Sequence, residues 1–166
     1  MQKTIPTIFL AFAVLFATAG TSWGQAVDFF DDLVEREGVY YLKLTNTPFT
    51  GKTTGTAQLT FNKGIRHGPF AQYHDNGQLE IKGTYIGGKR DGPWVFYHDN
   101  GQLWVEGTLK VGVKDGLWIS YYENGQLAYK GSFLNGYRDG PWVWYNNNGV
   151  ESWRSGTYKN GEKISD

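Results

Sequence analysis

The tripeptide Asn-Gly-Gln stands at residues 76–78, 100–102 and 124–126, and Asn148-Gly149 begins a further copy, each step being 24 residues. The same step aligns Gly68, Gly92, Gly116 and Gly140, then Phe70, Trp94, Trp118 and Trp142, and then Tyr73, Tyr97, Tyr121 and Tyr145. Columns that coincide at one period mark stacked units, each too small to bury its own apolar face. Two amphipathic helices per unit need about 34 residues, and here they would carry Gly in every turn, so a helical solenoid is excluded.

Within one unit, Leu79, Ile81, Gly83 and Tyr85 alternate with Glu80, Lys82 and Thr84, the period of a strand with one wetted face. Gly87 to Gly92 reads as a loop of about five residues, a length common between strands. Trp94-Val95-Phe96-Tyr97 then reads as a second strand, apolar on both faces. Asp99-Asn100-Gly101 closes the unit, since Asn and Gly tolerate the positive φ of tight hairpin turns. The expected fold is therefore all-β: tandem 24-residue β-hairpins stacked into one elongated, twisted, open antiparallel sheet. Strands about 4.8 Å apart make each hairpin an advance of about 10 Å, so equivalent Trp rings cannot touch through the repeat alone. Each ring is expected over a small or aliphatic residue of the adjacent strand, with Gly107 and Gly131 as glycines opposite aromatics. Gly83, Trp94, Tyr97, Gly101, Trp118, Tyr121, Gly125, Trp142, Tyr145 and Gly149 complete the structural repeat set.

Residues 27–54 read as an N-terminal capping segment and 55–166 as the repeat domain. Leu33 to Leu42 fits strand, Glu-Gly turn and strand, while a short helix over Val27 to Leu33, with Phe29, Phe30 and Leu33 inward, is the alternative. Thr47 to Gly51 is a turn into a strand over Thr56 to Phe61. Near the far end, Gly149 to Tyr158 holds one residue more than its siblings, which suggests a bulge. Residues 1–26 read as a signal peptide: Lys3, then an unbroken apolar run from Ile8 to Ala17, then small residues offering cleavage near Ala19, Gly24 or Ala26. Export to the periplasm or outside the cell is the expectation.

The run Gly83-Thr84-Tyr85-x-x-Gly88-Lys89-Arg90-Asp91-Gly92-Pro93-Trp94-x-x-Tyr97-x-x-Asn100-Gly101-Gln102-Leu103 resembles the MORN-repeat variant of bacterial YwqK-type proteins, a group described as the antitoxin component of toxin–antitoxin modules. The resemblance extends over about Leu33 to Lys163 and implies stacked β-hairpins. It implies a protein partner, in its most specific form a toxin. The shared residues are turn and core residues, and they bring no catalytic set.

The chemistry of the chain points the same way. Sixteen basic residues balance sixteen acidic ones, giving no field to hold a nucleic acid, and the absence of Cys removes thiol catalysis and Cys-ligated metals. Gly51-Lys52-Thr53 and Gly83-x-x-x-x-Gly88-Lys89 mimic phosphate loops, but neither precedes a helix, and Arg90 stands where Ser or Thr should hold magnesium. His74 and His98 occupy equivalent places about 10 Å apart and do not converge on one ion. Neither a catalytic residue, a metal site nor a cofactor is expected. The pairs Arg66-His67, Arg90-Asp91, Lys114-Asp115 and Arg138-Asp139 read as turn solvation with weak ion pairing.

Residues that break the repeat are the better pointers to binding. Trp104 falls at the outward parity beside Glu106 and Thr108, with Glu80 and Ala128 as its counterparts. Trp144 fills a column otherwise held by Gln72, Phe96 and Ser120, and Tyr122 and Tyr137 have no repeated counterpart. Aromatics rimmed by polar residues mark contacts with proteins or sugars, though Trp144 also suits ordinary packing on a twisted sheet. The expected role is a non-enzymatic protein-binding module; the alternative is a cell-envelope glycan or phospholipid binder.

Overall fold

The computed structural model describes residues 26–166, so the signal-peptide reading falls outside the described residues apart from Ala26. The elements are β1 (Val27–Asp28), α1 (Phe29–Asp32), β2 (Leu33–Arg36), β3 (Val39–Leu42), β4 (Gly51–Thr54), β5 (Ala57–Asn62), β6 (Ile65–Tyr73) and β7 (Leu79–Ile86). They continue with β8 (Lys89–Arg90), β9 (Gly92–Tyr97), β10 (Leu103–Lys110), β11 (Val113–Tyr121), β12 (Leu127–Leu134), β13 (Tyr137–Trp144), β14 (Gly156–Lys159) and β15 (Glu162–Ser165). Thirteen strands form one open sheet in the order β1-β4-β5-β6-β7-β9-β10-β11-β12-β13-β14-β15, with β8 also paired to β7. From β4 onward every neighbouring pair is antiparallel, whereas β1 joins β4 in parallel. No helix among the described residues is long and apolar enough to cross a membrane.

Each repeat closes with two different turns. The expected five-residue loop is a two-residue turn: Gly87 and Gly88 both take positive φ, 55° and 82°, and the chain is already strand at Lys89. That geometry matches the twist of a hairpin. The polar run Lys-Arg-Asp looked like loop because its side chains are charged, yet Lys89 and Arg90 stand on a strand paired to β7. At the other turn only the glycine has positive φ. Asn100 contributes through its side chain instead, Oδ1 accepting from the Gln102 N–H at 2.9 Å and Nδ2 donating to the Glu123 carbonyl one repeat on, at 3.3 Å. Asn76 and Asn124 make the equivalent bonds, so these amides stitch each turn to the next.

The core is a layer of rings on one face of this sheet. Trp94, Trp118 and Trp142 are almost wholly buried, and each covers a glycine of the adjacent strand: Gly83, Gly107 and Gly131. A Cβ at any of the three would collide with the indole above it. Tyr85 meets Trp94 edge-on at 5.3 Å and Phe133 meets Trp142 edge-on at 4.9 Å, an arrangement that aromatic quadrupoles favour. The expected placement of ring over glycine is thus what the sheet shows.

The basic column corrects the ion-pair reading in part: Asp139 pairs with Lys159 at 2.9 Å, but the cations of the column do not pair with its aspartates. Arg90 lies over Trp94 at 4.6 Å, Lys114 over Trp118 at 4.2 Å and Arg138 over Trp144 at 4.7 Å, so these cations cap rings. Strand parity turns the neighbouring aspartates away. Asp91 accepts from the Val111 N–H at 2.8 Å, pinning the next repeat's turn. Burial, reinforced by the charge of Arg138, pushes the Lys114 ammonium below the usual lysine range.

The N-terminal segment combines both sequence readings. β2 and β3 form a separate hairpin through Glu37-Gly38, preceded by the four-residue helix capped by Asp28. Leu33 is buried and Phe29 packs on Tyr40 and Phe61, but Phe30 is 61% exposed. A helix of one turn can bury only one stripe. Strand β4 was not anticipated; it enters the main sheet beside β5. At the far end the extra residue does more than bulge a strand: Ser152 to Ser155 forms a turn, closed by the Ser155 N–H on the Ser152 carbonyl at 2.9 Å, and leaves Trp153 81% exposed.

Candidate functional site

A bulge places Trp104. Leu103 pairs with Tyr97 and Val105 with Phe96, so Trp104 is the extra residue and strand alternation breaks there. The outward-parity reading is therefore corrected. Trp104 stands on the ring face, 49% exposed, against Phe96 at 6.4 Å and His98 at 5.8 Å. Glu80 and Ala128 are the bulge residues of the neighbouring repeats.

Three strand steps further along the sheet, on β13, Trp144 stacks on Trp142 at 4.7 Å and 18°. The two strands are about 14 Å apart. Between them the columns hold Ser120, where Phe96 stands one repeat earlier, and Ala128, where Trp104 does. Two small residues in columns of large ones leave a notch of about 670 Å³ on the ring face. Trp104 and Trp144 are among its lining residues, with Tyr129, Glu123 and Arg154. Burial pushes the Tyr129 phenol up, against the opposing effects of the Ser120 hydroxyl and the Arg138 charge.

Tyr122 also lines the notch, and it does have repeat counterparts. It stands in the column of His74 and His98, and its hydroxyl donates to the Tyr145 carbonyl at 2.8 Å. His74 Nε2 meets the Tyr97 carbonyl at 3.1 Å and His98 Nε2 the Tyr121 carbonyl at 3.0 Å. A carbonyl only accepts, so Nε2 carries a proton in both rings. Sequence similarity hid this equivalence because imidazole and phenol differ, although both deliver one donor to the same carbonyl.

Trp104, Trp144 and Tyr122, three of the four expected binding residues, thus share one site. Tyr137 does not. It begins β13 opposite Leu134, beside the Gly161 turn, and is 62% exposed. Seven residues of strand, about 23 Å, separate it from Trp144. Glu123, His98 and Arg154 were missed as rim residues. The signal available was the pair of small residues, Ser120 and Ala128, in columns that hold larger side chains in the other repeats.

No curated protein matches the chain. Among the solved structures that match is one described as a GtfA/B complex bound to UDP and GlcNAc. It is 9% identical over 77% of this chain and 26% of that one, with a TM-score of 0.24. The chain therefore spans about a quarter of that structure's length. Residues 66–86, 90–110 and 114–135 each match the family model described as the MORN repeat variant, so the central hairpins of this chain are three tandem MORN-variant repeats.

Proposed function

We propose that this chain is an exported, non-enzymatic repeat module that holds a neutral, hydroxyl-rich glycan against its ring face. The observation that carries the reading is the rim of the notch. Glu123 and Arg154 both line it, yet neither belongs to the ion pairs among the described residues, which are Lys159 with Asp139 and Lys163 with Asp166. A charged peptide anchor satisfies one of the two and is opposed by the other. A sugar hydroxyl donates to the carboxylate and accepts from the guanidinium. The indole faces suit the same ligand, because the flat C–H face of a pyranose packs on the electron-rich face of a ring. Export is supported by the apolar leader and small-residue cleavage sites within residues 1–26.

The test is retention of the purified protein on an array of immobilised linear oligosaccharides. Binding to a neutral glycan that Trp104→Ala and Trp144→Ala each weaken and Tyr137→Ala preserves is the expected result. No retention, or retention indifferent to both indoles, would remove the reading. Export is checked by the N-terminal residue of the protein recovered from cells: a start near Val27 supports it, and an intact Met1 refutes it.

A different surface favours the second reading, a protein partner and most narrowly the toxin that the antitoxin resemblance implies. Pro141, Val143 and Trp153 line a shallow depression of about 700 Å³, and an exposed indole there has no repeat counterpart. A stoichiometric complex lost in Trp153→Ala and kept in Trp104→Ala would support it.

A further inference from the structure

A second, smaller groove of about 370 Å³ adjoins the notch, and the two share Trp104, His98 and Glu123 as lining residues. They are repeat equivalents. His74, Glu80 and Phe96 of the smaller groove return 24 positions later as His98, Trp104 and Ser120 of the larger. One hairpin separates them, an advance of about 10 Å across the strands. Trp104 stands where they meet, its ring edge-on to Phe96 in the smaller groove. The smaller groove keeps the character of the larger, with Phe96 and Ile81 as its apolar surface and Glu80, Asp99 and His74 as its polar rim.

We infer that the ring face reads a linear chain of β-linked pyranose rings in two subsites, one per repeat, with Trp104 as their shared wall. This rests on the glycan reading above and adds to it the length and direction of the ligand. The advance of one hairpin is close to the length of two β-linked pyranose rings laid end to end. A chain running across the strands therefore places ring n in one groove and ring n+2 in the next. A disaccharide fills one groove; a trisaccharide is the shortest ligand that reaches both. Binding at the second subsite is then intramolecular, and the gain appears in one step of chain length.

The experiment titrates the full protein with two homologous ladders, cello-oligosaccharides and chito-oligosaccharides of one to six rings, following the indole N–H resonances by NMR. Trp104→Phe and Trp144→Phe assign the two signals. The expected result, in at least one ladder, is an affinity step of about tenfold or more between two and three rings, the gain of tethering a second contact. Trp104→Ala should flatten that step, while Trp144→Ala should weaken binding to the larger groove alone. A circular dichroism spectrum matching wild type shows that each variant is folded. Equal affinity for two rings and four, or a step that survives Trp104→Ala, overturns the two-subsite inference and leaves a single sugar site standing. If no member of either ladder moves an indole signal, both the inference and the saccharide reading fall.

Discussion

Gly107 lies directly beneath the indole of Trp118, so close that a Cβ on the glycine would overlap the ring. The contact explains why a glycine recurs in the middle of a strand, where it otherwise weakens the sheet. The ring covers backbone that lacks a side chain of its own, and the open sheet gains a core without a second layer. Gly107→Ala must displace Trp118 or the strand. A loss of about 1–3 kcal/mol is expected, the range for overpacking a well-filled core. Urea denaturation checks it against Thr108→Ala, whose exposed side chain lies outside the ring layer and whose loss should stay within about 0.5 kcal/mol.

The three repeat tryptophans are not energetically equal. Trp118 Nε1 donates to the Thr108 carbonyl at 3.1 Å and Trp142 Nε1 to the Ser132 carbonyl at 3.0 Å, whereas the buried Trp94 Nε1 has no hydrogen-bond partner. Replacing each with Phe removes similar apolar area and leaves the stacking intact. Trp118→Phe also removes a made hydrogen bond, and Trp94→Phe removes a buried donor that was never satisfied. Trp118→Phe should be the more damaging by about 1 kcal/mol, read from paired chemical denaturation curves. Equal losses would show that Trp94 finds a partner in solution.

Tyr40 gives the fold a dependence on alkaline pH. Its phenol is pushed up to about 12, first by burial and then by the neighbouring Glu35, against the opposing charge of Arg66, whose guanidinium donates to the Tyr40 oxygen. A phenol that ionises later in the folded chain contributes stability that is fully present below about pH 10, the ordinary tyrosine value, and is lost as pH rises through about 12. Tyr40→Phe should therefore be less stable at pH 8 but lose less between pH 9.5 and 11.5 than the wild type. Tyr129 and Lys114 titrate in both proteins, so the difference in slope isolates Tyr40. Parallel slopes would place the phenol in water.

How far the residues announced this arrangement depends on what each pattern encodes. Period-two alternation and recurring Asn-Gly turns specify hairpins locally, and the Gly–Trp columns specify which face is buried, so the sheet was legible. Trp104 was assigned to the wrong face because a bulge adds one residue without changing the composition of the strand. Arg90 and Lys114 were taken for turn residues because a charged side chain over a ring is indistinguishable, in sequence, from one in water. The notch was half legible: its walls broke the repeat visibly, but its floor is an absence of bulk at Ser120 and Ala128. Strand β4 has no partner in the repeat from which it could have been aligned.

That absence of bulk can be reversed without disturbing the hydrogen-bonded frame. Ala128 is the bulge residue of its repeat, equivalent to Trp104, and bulges at this column already carry Glu and Trp in the neighbouring units. Ala128→Trp should therefore be accommodated by the backbone while its ring fills the space between Trp104 and Trp144. Thermal stability is expected to change by less than about 1 kcal/mol, because new ring contacts offset whatever crowding Tyr129 experiences. Ligand retention on the oligosaccharide array should fall to what the smaller groove alone supports. A folded Ala128→Trp protein that binds as the wild type does would mean that the ligand never enters the notch, and the larger groove would have to be discarded as a binding surface.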